Sequence, residues 1–411
     1  MSNTASKTLI TNIAQLVAVP PGPLSGDAFS HPPIIENAAL LIENGKIAWF
    51  GQQQDAPTLT SSAETIDAEG GTVVPGLIDC HTHVVHAGSR ENEFVQRIQG
   101  ASYIEILEAG GGIKNSVRML REATEEELVA QARPRIERMM QWGMTTLEAK
   151  SGYGLSHEDE LKTLRAIKRL NDELPIEIVG TYLGAHTIPP EFDGKPDAYL
   201  DRMLDRDFLK AIVDEGLAEF ADVFCERGAF NLDQARRFLT TCKEAGLTPK
   251  IHSEQITRTG ATKMAAELGA ISADHLEFVN DDDIAALRQS GTIPVVLPGC
   301  SFFLGSPPAP ARCLIDAGLP VALATDLNPG SCNVEPLPLI MSMACTMLKM
   351  TPLEALVACT ANAAAALGRT DKIGAIAVGH RADVLILDMP NVNQWAYRVG
   401  VNGVARTIVG K

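Results

Sequence analysis

No stretch of this 411-residue chain is apolar for long enough to cross a bilayer, and residues 1–19 have no charged start followed by a long apolar core. Neither a membrane span nor a secretory leader is therefore expected. Basic residues are scarce: 35 Lys and Arg stand against 51 Asp and Glu, a net charge of −16. That balance repels nucleic acid and anionic membrane surfaces at long range, and an anionic substrate would need a local cationic clamp. Paired-cysteine motifs are missing too. The eight cysteines (Cys80, Cys225, Cys242, Cys300, Cys313, Cys332, Cys345 and Cys359) show no C-x-x-C and no short framework spacing. They read as reduced, mostly buried thiols, and a soluble, cytoplasmic protein is the expectation. Disorder is excluded by a composition of 45% hydrophobic and 21% charged residues, which leaves ample material for a large core.

What the chain does have is alternation. Residues 8–16 and 38–50 carry short apolar segments, and Asn44-Gly45 between two apolar runs is a hairpin signal because both residues tolerate positive φ. Residues 20–33 read as a Pro/Gly/Ser loop, and a β-rich pattern returns at 381–388 and 404–409. The two ends, 1–71 and 371–411, are expected to form one small composite β-sandwich domain. Between 72 and 370 the pattern becomes strand, then amphipathic helix, repeated. Strands are predicted at 72–78, 144–149, 176–182, 221–225, 248–252, 270–275, 293–297 and 321–324. Helix starts are marked by Thr124 with Glu127, Ser156 with Asp159, Asn231 with Gln234, and Thr351-Pro-Leu-Glu354. Pro134 is expected to kink or restart the first of these helices.

Eight such units close into a TIM-like (β/α)8 barrel in the α/β class, assigned to residues 72–370. The rival is an open doubly wound sheet, which advertises a glycine-rich phosphate turn directly after its first strand. Here Gly110-Gly111-Gly112 comes too far beyond that strand and reads as a flexible loop.

A barrel places its reacting groups at the carboxyl ends of its strands. Strand one ends in His81-Thr-His83, strand three in His186, strand five in His252, strand six in Asp274-His275, and strand eight in Asp326-Leu-Asn328. On an extended chain residues i and i+2 share a face, so His81 and His83 can close on one ion. The plain alternative is a pair of histidines on a solvated strand. His81, His83, His252 and Asp326 form the expected metal set, suited to one Zn or Fe ion. Such an ion lowers the pKa of bound water and supplies hydroxide, with Asp326 both touching the metal and taking the proton. His275 is expected near the developing oxyanion, unless it is simply a structural partner of Asp274. His31, His86, His157 and His380 fall elsewhere, as surface or supporting residues.

This constellation resembles the amidohydrolase superfamily, whose His-x-His, His, His and Asp positions are all matched. Superfamily members with two metals usually bridge them with a carboxylated lysine from strand four. Here strand four ends in Phe224-Cys-Glu226-Arg227, and Lys150 follows strand two. That departure implies one metal and leaves open whether Glu226 or Lys150 touches it.

Five segments narrow the likeness further: His83-Val-Val-His-Ala-Gly-Ser-Arg-Glu-Asn-Glu-Phe94, Glu148-Ala-Lys-Ser-Gly-Tyr-Gly154, Tyr182-Leu-Gly-Ala-His186, Lys250-Ile-His-Ser-Glu-Gln255 and Ala324-Thr-Asp-Leu-Asn-Pro-Gly-Ser331. Together they are similar to the imidazolonepropionase family. The resemblance implies hydrolysis of the ring C–N bond of 4-imidazolone-5-propanoate to N-formimidoyl-L-glutamate in histidine degradation. It also implies substrate contacts from Arg90, Tyr153, His186, Gln255, Asn328, Gly330 and Ser331, and a homodimer. Some members carry a glutamate where this chain has Gln255, an amide that can orient the substrate but not serve as a base. Base duty then falls to Asp326 or His275. Strict alternation would instead put Glu254 on the face of His252.

Two other functions compete. A one-metal deaminase acting on a nucleobase or aminoimidazole-like ring would want a proton-shuttling glutamate near Gln255 and has less use for Arg90. A non-catalytic scaffold with the same fold would have lost its ligand positions, and all four are intact.

Overall fold

Eight parallel strands pair in chain order in the computed structural model, which describes residues 7–58, 63–100 and 111–410. They are β1 (Leu77–Asp79), β2 (Met144–Lys150), β3 (Glu177–Ala185), β4 (Phe220–Cys225), β5 (Thr248–Ser253), β6 (Ser272–His275), β7 (Ile293–Val296) and β8 (Ala322–Leu323). The ring closes just beyond its first and last strands, where Thr82 bridges Leu327 in parallel. There the His83 N–H donates to the Leu327 carbonyl at 2.8 Å and the Asp326 N–H to the His81 carbonyl at 3.0 Å. The expected barrel is thus present, and its closing seam runs through the expected metal ligands.

The predicted strand at 72–78 is two strands belonging to different sheets. Thr72–Pro75 pairs in parallel with Lys7–Val17 and antiparallel with Val384–Leu387, whereas β1 begins at Leu77. Gly76 marks the break. A Cβ there would lie 2.4 Å from Thr145 Oγ1, so only glycine lets the chain press against β2 as it changes sheets.

Both termini build the second sheet, which is mixed and seven-stranded. Lys7–Val17 pairs with Ile34–Glu43, which turns through Asn44 and Gly45, at φ of 52° and 72°, into Lys46–Gln52. Glu64–Asp67, Thr72–Pro75, Val384–Leu387 and Val404–Ile408 complete it. The sheet curls round a core that includes Ile10, Leu40, Ile66, Val73 and Val384. Its Lys46–Gln52 edge returns to the other end, with Ile47 exchanging backbone hydrogen bonds with Gly379 and His380. The loop at 20–33 contains the short helix Gly26–Ser30, pinned by the buried Phe29.

The predicted helix starts are where they were placed, each with its side-chain cap formed. Glu125–Gln141, however, neither stops nor restarts at Pro134. Pro134 and Ala130 are both exposed, so the carbonyl that loses its partner is open to water. Gly110 lies outside the described residues, and Gly112 caps the helix Ile113–Glu122. Among the described residues no helix is long and apolar enough to cross a membrane, and of the eight unpaired cysteines only Cys313 is exposed.

Candidate active site

The chain stays extended beyond β1, which brings His81 and His83 to one side of the strand end. Ligand atoms of His81, His83 and His252 converge within 4.8 Å of one another, as do those of His81, His275 and Asp326. His81 Nε2 and His83 Nε2 lie 3.6 and 3.7 Å from Asp326 Oδ1, and His252 Nε2 lies 3.3 Å from His83 Nε2. All five side chains are buried.

Burial holds His81 and His83 well below their ordinary pKa and His252 at about 4, so the rings are neutral and carry free lone pairs. Burial also raises Asp326 to about 6. His81 Nε2 and Asp326 Oδ2 have no hydrogen-bond partner. Buried polar atoms rarely go unpartnered, and imidazole nitrogens gathered with a carboxylate oxygen fit a divalent metal ion.

Strain concentrates at the same place. His275, Leu276, Asp326 and Glu254 all have positive φ, from 52° to 83°, without being glycine. His275 takes its aim from this backbone. Burial works to lower its pKa, but the carboxylates of Glu277, Asp326 and Asp274 outweigh burial and raise it.

A cavity of about 380 Å³ opens over this cluster, and Arg90, Tyr153, His186, Gln255, Asn328, Gly330 and Ser331 all line it with His83, His252, His275 and Asp326. Arg90 places Nε and one terminal nitrogen on Glu93 Oε2, at 2.9 and 2.7 Å. Its remaining nitrogen lies against Gly330, where a Cβ would come within 2.0 Å of it. His186 stacks on His83 at 5.1 Å between ring centres and donates Nδ1–H to the Gly152 carbonyl at 3.0 Å, leaving Nε2 as an acceptor. Asn328 uses its amide on the loop itself, accepting from the Gly330 and Ser331 N–H groups and donating to the Asp326 carbonyl.

Comparison with known proteins agrees with this geometry. The Amidohydrolase family matches residues 72–410. An imidazolonepropionase of Geobacillus kaustophilus is 49% identical over 392 residues, covering 94% of this chain and 92% of its own. One from Alkaliphilus oremlandii is 46% identical, covering 96% and 94%. The chain belongs to the imidazolonepropionase family of amidohydrolases. Solved structures share the architecture at low identity. A zinc-bound adenosine deaminase from Xanthomonas campestris has a TM-score of 0.73 at 18% identity, covering 98% of this chain and 92% of that one. A 5-methylcytosine deaminase from Klebsiella pneumoniae has 0.74 at 17%, covering 98% and 96%. These likenesses establish the fold alone.

Within this family framework the structure answers several points the sequence left open. Gln255 faces the cavity, and its Nε2 lies 3.5 Å from Cys300 Sγ. Glu254 turns away to accept from Thr259, Gly260 and Thr262 at the start of the helix Ala261–Leu268. Glu226 spends both oxygens on the Arg227, Ile256 and Thr257 backbone and the Thr257 hydroxyl. Lys150 is held as an ammonium: burial alone would lower its pKa, but Asp222, Glu148 and Asp274 push it well up, and an ammonium has no lone pair for a metal. Asp274 pairs with His81 rather than with its neighbour His275, its Oδ2 lying 2.6 Å from His81 Nδ1. The other four histidines stay outside the cluster. His86 is buried against the His83 carbonyl, His157 stacks on Phe208, His380 meets the Thr370 carbonyl, and His31 is exposed.

Sequence reasoning missed Arg97, a second guanidinium in the cavity wall. It bonds the Gly330 carbonyl at 3.1 Å and lies 5.4 Å over the Phe303 ring. Its signal was the spacing of Arg90, Glu93 and Arg97, three and seven residues apart on one helical face.

Proposed function

We propose that this chain hydrolyses the ring C–N bond of 4-imidazolone-5-propanoate to N-formimidoyl-L-glutamate, a step of histidine degradation. The observation that carries this is the pairing, in one cavity, of a cation-fitting cluster with two guanidinium groups. A cyclic amide bearing a short carboxylate arm needs both.

In this reading His81, His83, His252 and Asp326 hold one divalent ion, zinc or iron, because imidazole and carboxylate donors suit such borderline ions. Bound there, the ion acts as a Lewis acid and makes water nucleophilic near neutral pH. Asp326 accepts a proton from the attacking water as the new C–O bond forms at the ring carbonyl carbon. His275 donates to the carbonyl oxygen as negative charge grows on it. When the C–N bond breaks, its electron pair stays on nitrogen, and that nitrogen takes the proton carried by Asp326 or relayed by His275. Gln255, being an amide, orients the ring by hydrogen bonds.

Arg90 meets the propanoate in the two-pronged manner open to a guanidinium, with Arg97 adding positive charge beside it. Tyr153 and His186 flank the ring, and Asn328, Gly330 and Ser331 shape the loop that faces it. Assembly as a homodimer belongs to the same proposal and is supported by the family resemblance alone.

The test is direct. Enzymatically generated imidazolone propanoate should lose its ultraviolet band when the metal-loaded protein is added, and keep it after chelation. Release of ammonia from a nucleobase, with imidazolone propanoate untouched, would move the chain to the deaminase reading.

A further inference from the structure

Beneath the histidine cluster the barrel encloses ionisable side chains that solvent does not reach, Glu148, Lys150, Asp222, Lys250 and Asp274 among them. Lys150 stands at their centre. From β2 its Nζ lies 2.9 Å from Glu148 and 2.7 Å from Asp222 Oδ2 on β4, and 3.8 Å from Asp274 Oδ2 on β6. Each aspartate in turn holds one histidine. Asp222 Oδ1 accepts from His252 Nδ1 at 3.0 Å and from the His252 backbone N–H at 3.1 Å, and Asp274 Oδ2 accepts from His81 Nδ1 at 2.6 Å. A ring that donates through Nδ1 presents the lone pair of Nε2, and in both residues Nε2 faces the cluster. Lys250 is equally buried but connects differently, to Glu148 Oε1 and to the Cys80 carbonyl, both at 3.1 Å.

We propose that Lys150 is the positioning residue of the cation site. By tethering Asp222 and Asp274 with one ammonium it fixes the tautomer and aim of both His252 and His81, and so sets how tightly the site holds a divalent ion. Two carboxylates this close repel each other when no cation lies between them, and each histidine follows the carboxylate it donates to. A single side chain thereby couples ligands from β5 and from the end of β1. The inference rests on the histidine cluster being a cation site.

The experiment loads full-length protein with Co²⁺ and titrates the visible ligand-field band against a chelator of known affinity. Wild-type protein should show the band; its absence would overturn the cation site itself. Lys150→Met should bind Co²⁺ about 10- to 100-fold more weakly, the range expected when partners of ligating histidines are removed, with a shifted band. Lys250→Met removes as much buried charge but leaves the Lys150–Asp222 contact in place; because the Lys250 charge also acts on Asp274, it should weaken Co²⁺ binding less than Lys150→Met does. Equal Co²⁺ affinity in Lys150→Met and wild type, or an equal loss in both lysine variants, would overturn the role of Lys150. If Lys150→Met does not fold, Asp222→Asn and Asp274→Asn take its place. Each should weaken Co²⁺ binding, and wild-type affinity in both would leave Lys150 nothing to act through.

Discussion

Gly330→Ala should disable the proposed Arg90 clamp without disturbing the fold. The glycine has an ordinary backbone conformation, so the only obstacle to a methyl group is the Arg90 guanidinium, whose terminal nitrogen and Cζ would lie 2.0 and 2.7 Å from it. To regain ordinary contact that nitrogen must withdraw by roughly 1.4 Å, more than a charge-assisted hydrogen bond tolerates. Because an arginine end is flexible, folding stability should change by no more than about 0.5 kcal/mol. Losing a hydrogen bond to a charged group costs about 1.5–3 kcal/mol, so KM should rise roughly 10- to 100-fold while kcat holds nearly steady. Steady-state assays on imidazolone propanoate, run beside thermal melts, measure both quantities. The decisive comparison is a double-mutant cycle with Arg90→Ala, which should itself raise KM by a similar factor. Since Gly330→Ala acts only through Arg90, adding it to Arg90→Ala should change nothing further. An unchanged KM in Gly330→Ala, or additive effects in the double mutant, would refute the clamp.

Three other outcomes follow. His252→Ala should lose bound metal by elemental analysis and at least ~10³-fold in turnover, because one of the four proposed ligands and a fixed orientation disappear together. Gly76→Ala should lower stability by about 1–3 kcal/mol in denaturant titrations, since its methyl would meet the Thr145 side chain at a packed sheet crossing. Thr145→Ala should relieve much of that loss. Glu177 should mark an acid-labile link: burial alone would raise its carboxyl, but Arg369 and Arg381, 3.0 and 2.6 Å away, hold it below its ordinary 4.5. Its contribution is therefore complete above that value and fades as pH falls through the lowered one, so the stability gap between wild type and Glu177→Gln should narrow as pH falls below 4.5.

Much of the molecule could be read in advance because the barrel repeats one unit, and each repeat announces itself by an apolar run and a capped helix. That His81, His83, His252, His275 and Asp326 gather at one end of the barrel was legible for the same reason, because they stand at strand ends. What escaped depended on neighbours that are distant in the chain. The β-branched run at 72–78 has no feature that assigns it to a sheet; only the approach of Thr145 to Gly76 divides it. Asp274 invited pairing with His275 by adjacency, yet its carboxylate reaches inward to His81 Nδ1 while the positive φ of His275 swings that ring away toward Asp326. The charges of Glu148, Lys150, Asp222 and Lys250 were visible, but nothing in a single sequence said that they would be buried against one another.

The barrel's seam has a consequence for how the protein comes to hold its ion. Asp79 and Thr325, hydrogen-bonded across that seam, are 246 residues apart in the chain, with His81 and His83 just beyond one and Asp326 beside the other. A chain emerging from the ribosome thus carries His81, His83 and His252 before Asp326, the last of the proposed ligands, is made. The proposed ligand set is complete only in the closed ring, so an ion bound there would stabilise ring closure by mass action. With that ligand set, metal acquisition and completion of the fold would be one event, the ion a latch on a finished barrel.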